Sequence, residues 1–129
     1  MAHTYMQNLV HVVFSTKEQR KPIQQESQPR LWGYMAGVCK RKRIFVHEIG
    51  GMDDHAHMLM QLPPTLALSH GVPEIKTSSS RWMGKNFWWQ RGFGAFSVSA
   101  SSADAAIRYI RTQEAHHKKV SFDEEFIAC

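Results

Sequence analysis

The stretch Gly50-Gly51-Met52-Asp53-Asp54-His55-Ala56-His57-Met58-Leu59-Met60-Gln61-Leu62 decides how the rest of this 129-residue chain is arranged. His55 to Leu62 reads as a strand, and Pro63-Pro64 stops it, because proline offers no donor to a ladder. Gly50 to Asp54 is a tight connection, and Ile44 to Ile49 is the strand before it, so the region is a β-hairpin. Successive side chains in a strand point to opposite faces. His55 and His57 therefore share a face, about 6.5 Å apart at Cα. That spacing lets two imidazoles converge on one ion at about 2.0–2.1 Å per Zn–N bond, with similar reach for other divalent metals. Asp53 and Asp54 can orient an imidazole or add negative field. H-x-H alone equally describes two surface or partly buried histidines.

Upstream of the hairpin, Tyr5 to Phe14 is rich in β-formers and reads as a first strand, followed by a polar loop from Ser15 to Pro22. Leu31, Tyr34, Met35 and Val38 recur at helical spacing and predict a helix over Ile23 to Arg43, with Pro29 near its start. Downstream, Leu66 to Lys76 predicts a helix containing Pro73. Thr77-Ser78-Ser79-Ser80 reads as a hydroxyl-rich break, and Arg81 to Gln90 as a short aromatic helix. Phe93 to Val98 is a fourth strand. Ser101 or Ser102 caps a last helix, Ala103 to about Lys119. The order β-α-β-β-α-β-α predicts one α+β domain over residues 1–129. It is a ferredoxin-like split β-α-β fold, a four-stranded antiparallel sheet with helices on one face, followed by a C-terminal helix.

That last helix carries two faces. Ala103, Ala106, Ile107 and Ile110 form an apolar stripe. Tyr109, Thr112, Gln113 and His116 fall at i, i+3, i+4 and i+7 on another face, polar apart from its tyrosine. Tyr109 is thus not a plain core residue; it reads either as a functional hydroxyl or as an exposed tyrosine on a solvated helix. Gln113, one turn on, offers a neutral oxygen ligand.

Taken together, H-x-H on a strand and Y-x-x-x-Q on a later helix resemble the single-tyrosine HUH transposases of bacterial insertion sequences. The likeness is strongest to the REP-associated and related short transposases. It extends over nearly the whole chain, through YMQNLVHVVFSTK, GGMDDHAHMLMQLPPT, KTSSSRWM, WQRGFGAFSVS and YIRTQEAHHKK. Two positions depart from the family pattern: Ala56 is smaller than the usual middle residue, and Asp53 stands where a proline is usual. The resemblance implies Tyr109 as the nucleophile, with His55, His57 and Gln113 holding Mg²⁺ or Mn²⁺; beside it, position alone makes Asp54, next to the histidine pair, and His116, on the Tyr109 face, candidate accessory groups. It implies cleavage and rejoining of single-stranded DNA with hairpin ends through a 5′-phosphotyrosine link. It also implies a homodimer whose composite sites pair the histidines of one subunit with the tyrosine helix of the other. Two other readings of the same residues are a non-catalytic hairpin-DNA-binding protein on this fold and a metal-dependent hydrolase with a water nucleophile.

Composition agrees with a polyanionic partner: the formal charge is +5 and the pI about 9.5. Lys40, Arg41, Lys42 and Arg43 form the densest basic run, and Ser78, Ser79, Ser80, Arg81 and Lys85 a second group; each reads as a set of phosphate contacts or as a solvated or capping helix end. Trp82, Phe87, Trp88 and Trp89 suit base stacking or a core or subunit interface. His3, His11, His47 and His70 read as structural or exposed. Cys39 and Cys129 have no C-x-x-C spacing, which excludes a zinc knuckle, and a disulfide framework does not suit a cytoplasmic chain. No apolar run approaches the roughly 20 residues that span a bilayer, and Met1 to Asn8 lack a signal-peptide pattern, so the cytoplasm is the expected compartment.

Overall fold

The computed structural model describes residues 8–19 and 22–112. Four strands, β1 (Leu9–Ser15), β2 (Phe45–Gly51), β3 (His55–Gln61) and β4 (Gly94–Ser97), alternate with helices α1 (Gln28–Arg41), α2 (Leu68–Met83) and α3 (Ala103–Arg111). The strands form one antiparallel sheet in the order β2-β3-β1-β4, in keeping with the ferredoxin-like fold expected.

The two central strands are buried on both faces, which sets the layers. Val10, Val12 and Phe14 of β1 and Ala56, Met58 and Met60 of β3 turn to one face. There they pack against Leu31, Met35, Val38 and Cys39 of α1 and Val72 and Ile75 of α2. The alternate residues Val13, His55, His57 and Leu59 face the other way and are also fully buried. Helix α3 covers that second face, so α1 and α2 lie on one side of the sheet, as expected, and α3 on the other.

Helix α1 starts at Gln28, with Pro29 in its first turn where a missing N–H costs nothing. It ends at Arg41, two residues before the predicted end. The Ile44 amide bonds the Cys39 carbonyl (2.8 Å) while Arg43 adopts a left-handed φ of 61°, a capping turn that closes the helix. Lys42 and Arg43 are therefore turn residues.

The expected break at Thr77 to Ser80 does not occur, and Arg81 to Gln90 is not a separate helix. One helix runs from Leu68 to Met83 and stops at Gly84, whose φ is 114°. The hydroxyl of Ser79 donates to the Ile75 carbonyl one turn back (2.7 Å), a bond compatible with helix, so the serine run continues the helix. Pro73 is tolerated because, by the i→i−4 rule, only the Ser69 carbonyl loses an intrahelical partner. Among the described residues no helix is long and apolar enough to cross a membrane.

Candidate active site

The hairpin delivers what its alternation promised. His55 and His57 are adjacent on one face of β3, their ring centroids 5.0 Å apart and their planes nearly perpendicular. Each is held at Nδ1. The carboxylate of Asp54, itself buried, lies 2.7 Å from His55 Nδ1. The backbone carbonyl of Asp54 accepts from the Thr16 amide (2.8 Å) and hydroxyl (3.2 Å), which fixes the residue against the end of β1.

His57 Nδ1 lies 2.8 Å from Nε2 of His11. This partner was not legible in the sequence, where His11 reads as structural or exposed. The β1–β3 register puts Val13 opposite His57 and Leu59 opposite His11, so His11 sits diagonally across from His57 on the same face.

Helix α3 approaches this face through a gap made by glycine. A bulge between Val46 and Glu48 lets His47 drop out of the pairing, so Glu48 falls opposite Leu59 and Gly50 opposite His57, both on the face that meets α3. A Cβ at Gly50 would lie 2.6 Å from the Ile110 carbonyl oxygen; only glycine allows the helix this close. Arg111 then donates from Nε (2.9 Å) and Nη2 (2.7 Å) to one oxygen of Glu48, tying the end of α3 to β2. Ile110 is buried, and its neighbour Tyr109 is directed at the histidines. The Tyr109 ring stands edge-on 5.5 Å from the His57 ring and 5.8 Å from the His11 ring. One chain thus brings its own tyrosine to its own histidine pair.

The donor set fits a metal ion as far as it is described. Nδ1 of each histidine is engaged, which turns Nε2 of each ring away from Asp54 and His11. A carboxylate or imidazole behind a ligating histidine fixes its tautomer and orientation. As ligands the two imidazoles would be neutral donors, so a bound divalent ion would keep its full positive charge for an anionic substrate. Among the described residues no cluster of three or more His, Cys, Asp or Glu side chains is placed to hold an ion. Gln113, the expected third ligand, and His116 lie outside the described residues.

The remaining candidates are elsewhere. Lys40, Arg41, Lys42 and Arg43 are exposed, but the chain leaves them into β2, whose first residue Phe45 opposes Gln61. Gln61 is six residues along β3 from His55, roughly 20 Å at strand rise. Lys42 is also paired with Glu74 of α2 (3.2 Å). Ser79 has no exposed surface: it bonds Ile75 and accepts from the Trp89 indole N–H (2.9 Å). It is a packing residue, which corrects its assignment as a phosphate contact. Arg81 and Lys85 are exposed at the end of α2, on the layer away from the histidines. Phe87 is buried and Trp89 packs edge-on to it and to Phe14, so these two aromatics belong to the core. Cys39 is buried, which pushes its thiol up to about 12 and leaves it inert.

This architecture has known relatives. Structural likeness is found to a crystal structure of a Deinococcus radiodurans R1 protein provisionally assigned as a transposase. Its TM-score is 0.69 at 18% identity, over 88% of this chain and 96% of that one. It is also found to a REP-associated tyrosine transposase bound to a REP hairpin, with TM-score 0.72 at 16% identity over 93% of this chain and 76% of that one. At these identities the likeness concerns the fold. In sequence, the transposase of insertion sequence element IS200 from Salmonella typhimurium (strain LT2) is 25% identical over 114 residues, 80% of this chain and 75% of that protein. The IS200 transposase of Salmonella typhi matches to the same extent. The family model described as "Transposase IS200 like" matches residues 4–113, a span that takes in the hairpin, α3 and Tyr109, and the chain belongs to that family of transposases.

Proposed function

We propose that this transposase cuts and rejoins single-stranded DNA with Tyr109 as its nucleophile and a divalent ion, Mg²⁺ or Mn²⁺, held by His55, His57 and Gln113. The observation that carries the reading is the Tyr109 ring 5.5 Å from His57, on the sheet face that also presents His55 and His11. A tyrosine hydroxyl is a weak nucleophile near neutrality and needs its target phosphate activated. A bound divalent ion supplies that activation by polarising a phosphate oxygen and offsetting the charge that builds there.

The chain's own residues do the rest. Asp54 and His11 hold the two imidazoles so that Nε2 of each is presented. Helix α3, seated on Gly50 and tied by Arg111 to Glu48, holds Tyr109 at the site. Tyr109 Oη forms the new O–P bond as the P–O3′ bond breaks. The phenolic proton passes to solvent and the departing 3′-oxygen takes up a proton. The products are a 5′-phosphotyrosine and a free 3′-hydroxyl. The link conserves the energy of the broken bond, so rejoining consumes no nucleotide.

Hairpin-bearing DNA is the proposed substrate, supported by the REP hairpin bound to the structural relative. The proposed assembly is a homodimer in which each tyrosine serves the histidines of its own chain. The reading is tested by incubating the protein with end-labelled single-stranded hairpin DNA and Mn²⁺. A labelled protein band that survives boiling in detergent, and is lost on chelation, is expected. Strand cleavage without such a band would indicate a hydrolase with a water nucleophile. Binding without cleavage would indicate a DNA-gripping protein on the same fold.

A further inference from the structure

We propose that Trp88 and Lys17 form a stacking platform for one unpaired base of single-stranded DNA, at the edge of the active-site face. The proposal rests on the single-stranded DNA reading above. Three large hydrophobic side chains are exposed among the described residues: Phe45, Trp82 and Trp88. Trp82 already stacks on Tyr34 of α1, with centroids 5.1 Å apart, on the helix layer away from the site. Phe45 lies at the far end of β2, against His47. Trp88 alone is at the histidine end of the sheet.

Its direction follows from strand alternation. Residues around Trp89 pair with the chain just past β1: Thr16 bridges Trp89, the Lys17 amide donates to the Trp88 carbonyl (2.9 Å), and the Gln90 amide donates to the Ser15 carbonyl (2.8 Å). Trp89 and Thr16 turn to the helix layer, where Trp89 meets Phe14 at 4.7 Å. Trp88 therefore turns to the other face, the one carrying His55, His57 and Tyr109. Ser15, which neighbours this pairing, lies opposite His55.

The indole is presented rigidly. Phe87 before it is buried, and the Trp89 N–H bonds Ser79. Lys76 donates from Nζ to the Gln90 (2.7 Å) and Gly92 (2.6 Å) carbonyls just after it. A surface tryptophan 58% exposed on a pinned backbone loses little freedom when a base stacks on it. The Lys17 ammonium lies 5.9 Å from the Trp88 ring centre, close enough for cation–π attraction and for a backbone phosphate beside the stacked base. Every base has a π-face, so the platform grips strand without reading sequence.

The test uses fluorescence anisotropy with a labelled oligothymidylate and its fully abasic counterpart, which keeps the phosphates and lacks the bases. Trp88→Ala should weaken oligothymidylate binding roughly 5- to 150-fold, with Trp88→Phe in between. It should bind the abasic strand as the parent does. Lys17→Ala should weaken both strands, because it removes a phosphate contact. Trp82→Ala should change neither. Parental oligothymidylate affinity in Trp88→Ala, with the parent still binding and cleaving, overturns the platform alone. A parent that binds neither strand overturns the single-stranded DNA reading and the platform with it.

Discussion

Replacing Gly50 by alanine should uncouple catalysis from folding. The added methyl would stand 2.6 Å from the Ile110 carbonyl oxygen and 3.1 Å from its Cγ2. Easing the first contact to an ordinary 3.4 Å takes about 0.8 Å of movement by α3, because the obstacle is backbone and cannot rotate away. Gly50 has no left-handed φ, so alanine acts through space alone. The main core lies on the opposite face and does not include Ile110, so the fold survives. Overpacking of this kind costs about 1–3 kcal/mol, a fall of several degrees in melting temperature. Tyr109 is the residue next to Ile110 and moves with it. A displacement approaching 1 Å in reacting groups slows chemistry by as much as about 100-fold. Covalent adduct formation, followed on a denaturing gel under single-turnover conditions, should therefore slow by about 10- to 100-fold, while binding of single-stranded DNA changes far less. Gly33→Ala is the control: nothing lies within 4 Å of its added methyl, so it should raise helix stability and leave the adduct rate alone. A Gly50→Ala protein that forms adduct at the parent rate would refute the claim that α3 is seated by this glycine.

Other outcomes follow from the same geometry. Asp54→Asn keeps the shape beside His55 Nδ1 but loses the carboxylate; Mn²⁺ affinity by calorimetry should fall by about 10- to 100-fold, and unchanged affinity would detach Asp54 from the site. His11→Phe should lower Mn²⁺ affinity in the same assay through loss of the bond to His57, with His11→Gln restoring part of it. Mixing Tyr109→Phe with His57→Ala protein should restore no adduct, since each tyrosine lies on its own chain's histidine; recovered activity would show exchanged helices. In a Cys129→Ser variant, Cys39 should take up no alkylating label at pH 8 until denaturant is added. With its thiol pushed up to about 12, roughly one in ten thousand is ionised there. The sign of the linkage is that of a raised thiol: the stabilising contribution is complete below the ordinary value of 9.0 and is lost as pH climbs toward 12.

What the sequence made legible is what depends on local period. The two-residue alternation put His55 and His57 on one face, and the 3.6-residue period put Tyr109 off the apolar stripe of α3. The element order was enough for a four-stranded antiparallel sheet of the ferredoxin-like kind. What escaped depends on contacts between distant segments. His11 is a partner of His57 only because of the β1–β3 register, and 46 positions separate the two. Gly50 and Glu48 face α3 only because one residue bulges out of β2; without that shift the opposite set would face the helix. The serine run misread as a break is helical because the Ser79 hydroxyl folds back onto Ile75 and meets the Trp89 indole, a partner ten residues on. The dense basic run was conspicuous in composition, yet strand length carries it away from the histidines. Lys17, which composition does not single out, lies just past the end of β1 with its ammonium 5.9 Å from the Trp88 ring centre.

In the proposed reaction one oxygen, Tyr109 Oη, carries the covalent link to DNA. The most direct measurement digests the boiled, labelled adduct with protease and identifies the modified peptide by mass spectrometry, in parallel with Tyr109→Phe. A nucleotide mass is expected on the peptide containing Tyr109. In Tyr109→Phe the adduct should vanish while DNA binding stays near that of the parent, because only the attacking oxygen is removed. An adduct that persists in Tyr109→Phe, or a nucleotide mapped to Tyr5 or Tyr34, would contradict it.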